Sequence, residues 1–158
     1  MKVKIQFIII IKGEILMKRF NLNKFNSTKL YLKSQIKQWK KDSLKKNRKC
    51  AITGAVHGVE VHHHNMSFNL IFKETFEVAG IEYKEYTYQY TQQELTKLSN
   101  TILALHYKYG LGIAIAPSAH KALHETYGPT VTPEQYKEFK AKYKTCAELR
   151  LDVRRKIS

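Results

Sequence analysis

Five of the chain's seven histidines fall into two tight groups. His62, His63 and His64 are consecutive, and His120 and His124 stand four apart. A neutral imidazole nitrogen can ligate a divalent metal. With a reference pKa of about 6.5, the same group can accept a proton near neutral pH. Neighbouring side chains on a strand leave opposite faces, whereas residues four apart on a helix stack on one face. A strand carrying the first group can therefore offer one imidazole to a metal and the next to a substrate. A helix carrying the second group can supply two further ligands. That chemistry suits metal-assisted hydrolysis: a base to deprotonate water, and one cation as Lewis acid.

The flanking residues predict the elements such a site needs. Val59-Glu-Val-His62 alternates and reads as a strand, paired in a hairpin with Cys50-Ala-Ile-Thr-Gly54. Pro117 and Ser118 open a helix through His120 and His124 that ends at Gly128. Before it, Gly112 to Ala116 is a short apolar stretch. Ser67 begins an amphipathic helix carrying Phe68, Ile71, Phe72 and Phe76, ending near Gly80. Glu82 to Tyr90 reads as a loop. Thr91-Gln-Gln-Glu94 is a capping box for a helix with Leu95, Leu98, Ile102 and Leu105 on one face. Thr132 and Pro133 cap a last helix through Phe139 and Tyr143, extending toward Arg155. Upstream, Ser27 or Thr28 caps a single helix through Trp39 toward Lys46, with Leu30, Leu32, Ile36, Trp39 and Leu44 apolar.

Charge points to a polyanion. Lys and Arg total 28 against 13 Asp and Glu, a formal +15, which DNA, RNA or an anionic membrane would screen. A lysine-rich soluble surface is the plainer account of many of these residues. Cys50 and Cys146 form no Cys-x-x-Cys pair, so a zinc ribbon is not supported and a reducing, cytoplasmic setting fits. Ile5 to Ile11 is apolar but too short to span a bilayer, and no small-residue cleavage site follows it. It reads as a strand or a sticky arm, and Met17 is a second candidate start.

Taken singly, the histidine groups suit plainer roles: an exposed or metal-storage run, and a helix surface. Their joint order carries a resemblance. Cys50-x-x-Thr-Gly54, Val61-His62-His63, Ser67-Phe68-x-x-Ile71, Gly112-Ile-Ala-Ile, His120-Lys-Ala-Leu-His124-x-x-Tyr127-Gly128 and Thr132-Pro-Glu-Gln-Tyr-x-x-Phe139 together resemble the HNH (ββα-metal) homing endonucleases of Gram-positive bacteria and their phages. The resemblance runs from about Trp39 to Tyr143. It implies His62, His120 and His124 as metal ligands, with His120 where the family's central N stands, and His63 as general base. Asn65 or Asn69 is then the group that orients the base. His64 stands where an aliphatic residue is usual, so His63/His64 is the alternative ligand/base register. His57 reads as a loop residue, and His106 as a structural residue at a helix end, favoured there by the dipole.

The expected fold class is α/β, mixed α+β: a helix-rich chain around a ββα-metal core, with basic helical extensions at both ends. The expected division is a basic N-terminal arm over 1–38, the nuclease domain over 39–144 and a basic tail over 145–158. The expected cofactor is one divalent ion, Mg²⁺, Mn²⁺, Zn²⁺ or Ni²⁺. The expected partner is double-stranded DNA, gripped by Lys37, Lys40, Lys41, Lys45, Lys137 and Lys140 and by the C-terminal basic residues. No membrane association is expected, and the chain would act in the cytoplasm as a monomer or homodimer. Expected products are 5′-phosphate and 3′-hydroxyl. The rival readings are an inactive DNA- or RNA-binding protein on this scaffold, a protein whose metal serves only folding, and an RNA-cleaving enzyme.

Overall fold

The computed structural model describes residues 27–143, with the backbone of two short strands before them. Those strands, β1 (Ile9–Ile11), inside the Ile5 to Ile11 run read as a strand or arm, and β2 (Glu14–Leu16), beyond it, pair antiparallel. Next come α1 (Thr28–Gln35), α2 (Lys37–Lys46), β3 (Glu60–His62), α3 (Phe68–Ala79), α4 (Gln92–Lys108), β4 (Ile113–Ile115) and α5 (Pro117–Tyr127). A last helix, α6, is described over residues 133–143. The chain is thus mixed and helix-rich, with a small antiparallel sheet of β3 and β4. The C-terminal basic residues from Lys144 onward, and Cys146, lie outside the described residues.

Local chemistry sets the helix ends. The Ser67 hydroxyl accepts the Leu70 amide at 3.4 Å, and Gly80 closes α3 at φ 62°. Thr91 and Glu94 cap each other, with Oγ1 accepting the Glu94 amide at 3.2 Å and the carboxylate accepting the Thr91 amide at 2.7 Å. Thr132 and Gln135 repeat the arrangement before α6. Such caps satisfy amides that have no partner within the helix. The Glu82 to Tyr90 loop contains one 3₁₀ turn at Thr87–Gln89.

Two expectations are corrected. The upstream helix is two helices: the chain leaves helical geometry at Ile36 (φ −91°, ψ 21°), and Ser27 precedes α1 without a side-chain cap. Leu30, expected on the apolar face, is exposed. The second correction concerns the hairpin. Cys50–Gly54 is a tight turn, closed by the Gly54 amide on the Cys50 carbonyl at 2.9 Å. It cannot serve as the partner strand. β3 instead pairs with β4, fifty residues on, in the register Glu60↔Ile115, Val61↔Ala114 and His62↔Ile113. The Cys50 sulfur holds the turn in place by accepting the amides of Ile52, Thr53 and Ala116 at 3.4, 3.2 and 3.1 Å. Burial pushes the thiol up, but a hydrogen bond with the Thr53 side chain together with these amides outweighs it, and the net shift is downward.

The short sheet separates two buried clusters. Leu32, Ile36, Trp39, Ile71, Leu98 and Ile102 from α1–α4 form the larger one. Packing therefore runs across the boundary expected at residue 38. Cys50, Ile115, Ala119, Leu123, Val131 and Phe139 form the other, between the turn, α5 and α6. Tyr127 meets Phe139 of α6 at 6.4 Å between ring centres.

Gly112 is packed tightly against β3 and α2. A Cβ there would lie 2.4 Å from Val61 Cγ1, 2.8 Å from the His62 carbonyl oxygen and 2.9 Å from Trp39 Cη2. The Gly112 amide also donates to the Ser43 hydroxyl at 3.0 Å. Gly112→Ala is expected to cost roughly 1–3 kcal/mol of stability, as overpacking does. It should also weaken metal binding by pushing β3 off β4. Denaturant unfolding and metal titration of the same variant check both.

Candidate metal centre

Strand alternation divides the histidine run as its spacing requires. Glu60, His62 and His64 leave one face of β3 and its extension; Val61 and His63 leave the other. On the first face, His62 is 3 % exposed and meets the two histidines of α5. His62, His120 and His124 bring one ligand nitrogen each to within 4.8 Å of one another. His62 Nδ1 lies 3.4 Å from His120 Nε2, and His124 Nε2 lies 3.1 Å from the same atom. Nitrogens at 2.0–2.1 Å from a tetrahedral Zn²⁺ sit roughly 3.3 Å apart. The spacing fits a divalent ion.

Hydrogen bonds on the far side of the rings support that fit. His120 Nδ1 donates to Glu60 Oε2 at 2.8 Å, and His124 Nδ1 donates to the Gly128 carbonyl at 2.8 Å. In the neutral rings both Nε2 atoms then carry lone pairs, facing each other at 3.1 Å. Two acceptors at that distance repel, and a shared cation relieves the repulsion. A carboxylate or carbonyl behind a ligating imidazole is the usual outer support of a metal site. His62 Nε2 is buried without a protein partner. Burial first, and then the neighbouring His120, His124 and His64, hold the His62 pKa down to about 3, which keeps the ring in its neutral, ligating form. Among the described residues, three histidines converge on this position.

Glu60 carried no signal as a motif residue, although its place two before His62 puts it on the metal face. Glu60→Gln keeps the shape but weakens the acceptor behind His120. Metal affinity is expected to fall about 10- to 100-fold, the usual cost of losing such a partner, with the melting temperature of the metal-free protein nearly unchanged. Calorimetric titration and thermal melting check this.

On the other face, His63 stacks on Trp39 at 4.7 Å between ring centres with 27° between planes, and meets Phe68 edge-on at 5.8 Å. Its Nε2 lies 3.0 Å from His106 Nε2. Burial, then the nearby His106, His62, Lys40 and Lys33, lower the His63 pKa to about 3. Neither Asn65 nor Asn69 is seen to bond His63 among the described residues. Asn65 donates instead to the Tyr109 carbonyl at 2.7 Å, tying its loop to the end of α4, and the hydrogen-bonding partner of His63 is His106.

His106 lies in the last turn of α4, where a structural residue was expected; it is fully buried, and burial lowers its pKa. A single polar residue in an amphipathic helix gave no sign of this contact. His64 sits edge-on to Tyr136 at 5.0 Å, on the same side as His62, which stacks on that ring at 5.7 Å. The histidine beside His120 and His124 is thus His62, and neither His63 nor His64 reaches that cluster.

Lys37, Lys41 and Lys45 are exposed. Lys40 is half-buried, and burial together with Lys33 lowers its pKa against the opposing pull of Glu60. It therefore lies within electrostatic reach of Glu60 on the metal face and of His63 on the opposite one. Lys137 is exposed and Lys140 half-buried on α6. None of the described helices is long and apolar enough to cross a membrane. Comparison with family models, curated proteins and solved structures returns no match to the chain.

Proposed function

We propose that this chain is a metal-dependent endonuclease of the HNH class, and within it a homing-type enzyme that hydrolyses phosphodiester bonds of double-stranded DNA. The observation that carries the reading is the split of the histidine run. His62 converges with His120 and His124 into a metal-sized triad, while the adjacent His63 turns its ring to the other face. On this reading β3, β4 and α5 are the ββα-metal core, with α3 and α4 inserted between its strands. His62, His120 and His124 would hold the ion, which supplies Lewis-acid charge relief at the phosphate and leaving oxygen. His63 takes a proton from the attacking water. Lys40 and the exposed lysines of α2 and α6 hold the DNA backbone through phosphate contacts, which give affinity and register without sequence information.

The test is conversion of supercoiled plasmid to nicked circle with Mg²⁺, Mn²⁺, Zn²⁺ or Ni²⁺ and with EDTA. Nicking with metal that chelation abolishes, leaving 5′-phosphate and 3′-hydroxyl ends, is the expected result. Binding without cutting under every metal, on substrates including the gene's own locus, would sink it. The burial of His63 favours one second reading, a DNA-binding protein whose metal serves folding. Chelation would then unfold the chain, whereas a catalytic ion leaves the two buried clusters standing.

A further inference from the structure

We propose that His106 is a positioning residue that fixes the tautomer of His63, so that the base acts through Nδ1. This rests on the reading of His63 as the general base.

The inference follows from hydrogen-bond bookkeeping. His106 Nδ1 lies 2.7 Å from the Ile102 carbonyl, one turn back in α4. A carbonyl only accepts, so Nδ1 carries the proton and His106 Nε2 carries a lone pair. That Nε2 faces His63 Nε2 at 3.0 Å. A bond between them requires His63 to donate its Nε2–H, which leaves its own lone pair on Nδ1. The chain Ile102 C=O, His106, His63 therefore runs in one direction and ends on His63 Nδ1, which carries the lone pair.

The surroundings hold both rings still. Trp39 stacks on His63 and meets His106 edge-on at 4.9 Å. The Trp39 indole N–H is anchored on the Gly110 carbonyl at 3.1 Å. His106 has no solvent exposure, so no water competes for its nitrogen, and an unmet bond there would cost the full desolvation of the group. In the reaction, water gives one proton to His63 Nδ1 and its oxygen bonds to phosphorus. The P–O3′ bond breaks, and the leaving oxygen takes a proton from solvent.

The experiment uses the full chain with ¹⁵N-labelled histidine. Long-range ¹H–¹⁵N correlation spectra of the metal-free protein should show His63 as a single Nε2–H tautomer. His106→Phe keeps the ring volume but removes the acceptor, and should turn that signature into a mixture. It should lower kcat for nicking about 10²-fold, as a misplaced catalytic group does, with KM for DNA and the one-metal stoichiometry unchanged. His106→Gln can place an amide oxygen near the lost nitrogen and should recover most of both readouts.

An Nδ1–H tautomer of His63 in the wild type would overturn the proposal whatever the variants do. So would unchanged kcat in a folded His106→Phe. A second metal equivalent lost on replacing His106 would make the pair a metal site instead. If the wild type shows the expected tautomer but never nicks DNA, the nuclease reading fails and the base role falls with it, while the hydrogen-bond chain stands.

Discussion

Replacing His63 with alanine is expected to lower the rate of plasmid nicking at saturating DNA about 10²- to 10⁴-fold, the range a positioned general base contributes. DNA affinity and metal stoichiometry should stay at wild-type levels, because His63 lies on the face of β3 away from the triad. The stacking on Trp39 is lost as well, so a drop in melting temperature is expected and the assay must be run below it. Single-turnover nicking, with DNA binding measured on the same preparation in EDTA, separates chemistry from recognition. Wild-type rates in the variant would remove His63 from the mechanism. His64→Ala would then be the informative follow-up, although His64 lies against Tyr136 on the opposite side of the strand.

The second large effect belongs to the triad. His120 is its central member: its Nε2 is the atom that both His62 and His124 approach, at 3.4 and 3.1 Å. His120→Ala leaves two ligands and frees Glu60. Metal-dependent nicking should disappear at any practical metal concentration. The rise in melting temperature on adding Zn²⁺ or Mn²⁺ should disappear too, since a ligand stabilises only the state that binds it. The metal-free variant should melt close to the metal-free wild type, because the His120 side chain is partly exposed and its hydrogen bond to Glu60 lies at the surface. Retained metal stabilisation in this variant would mean that the ion sits elsewhere. Collapse of the metal-free fold would make the histidine structural.

Much of the local structure was legible in residue order. The caps at Ser67, Thr91 and Thr132, the glycine closing α3 and the proline opening α5 depend on hydrogen bonds and backbone preferences within four residues. The apolar face Leu98, Ile102 and Leu105 follows from helical period, and all three are buried. The expected separation of His62 from His63 needed only strand alternation. The pairing of His120 with His124 needed only helical spacing.

What failed to read was whatever depends on pairing distant segments. Cys50–Gly54 sits next to β3 in sequence and has hairpin-like length. Three backbone amides converging on the Cys50 sulfur make it a turn instead, and the strand that completes the sheet comes fifty residues later. Two features of the candidate site arise the same way. Glu60 becomes the support of His120 only because β3 lies beside α5. His106 becomes the partner of His63 only because α4 packs its buried face under Trp39. Sequence by itself determined which side chains can ligate or accept a proton, and which of them share a face, because those properties are local and periodic. Tertiary structure alone decided which faces meet, because contacts between segments tens of residues apart are set by how whole apolar surfaces are buried against each other, and no window of neighbouring residues encodes that choice.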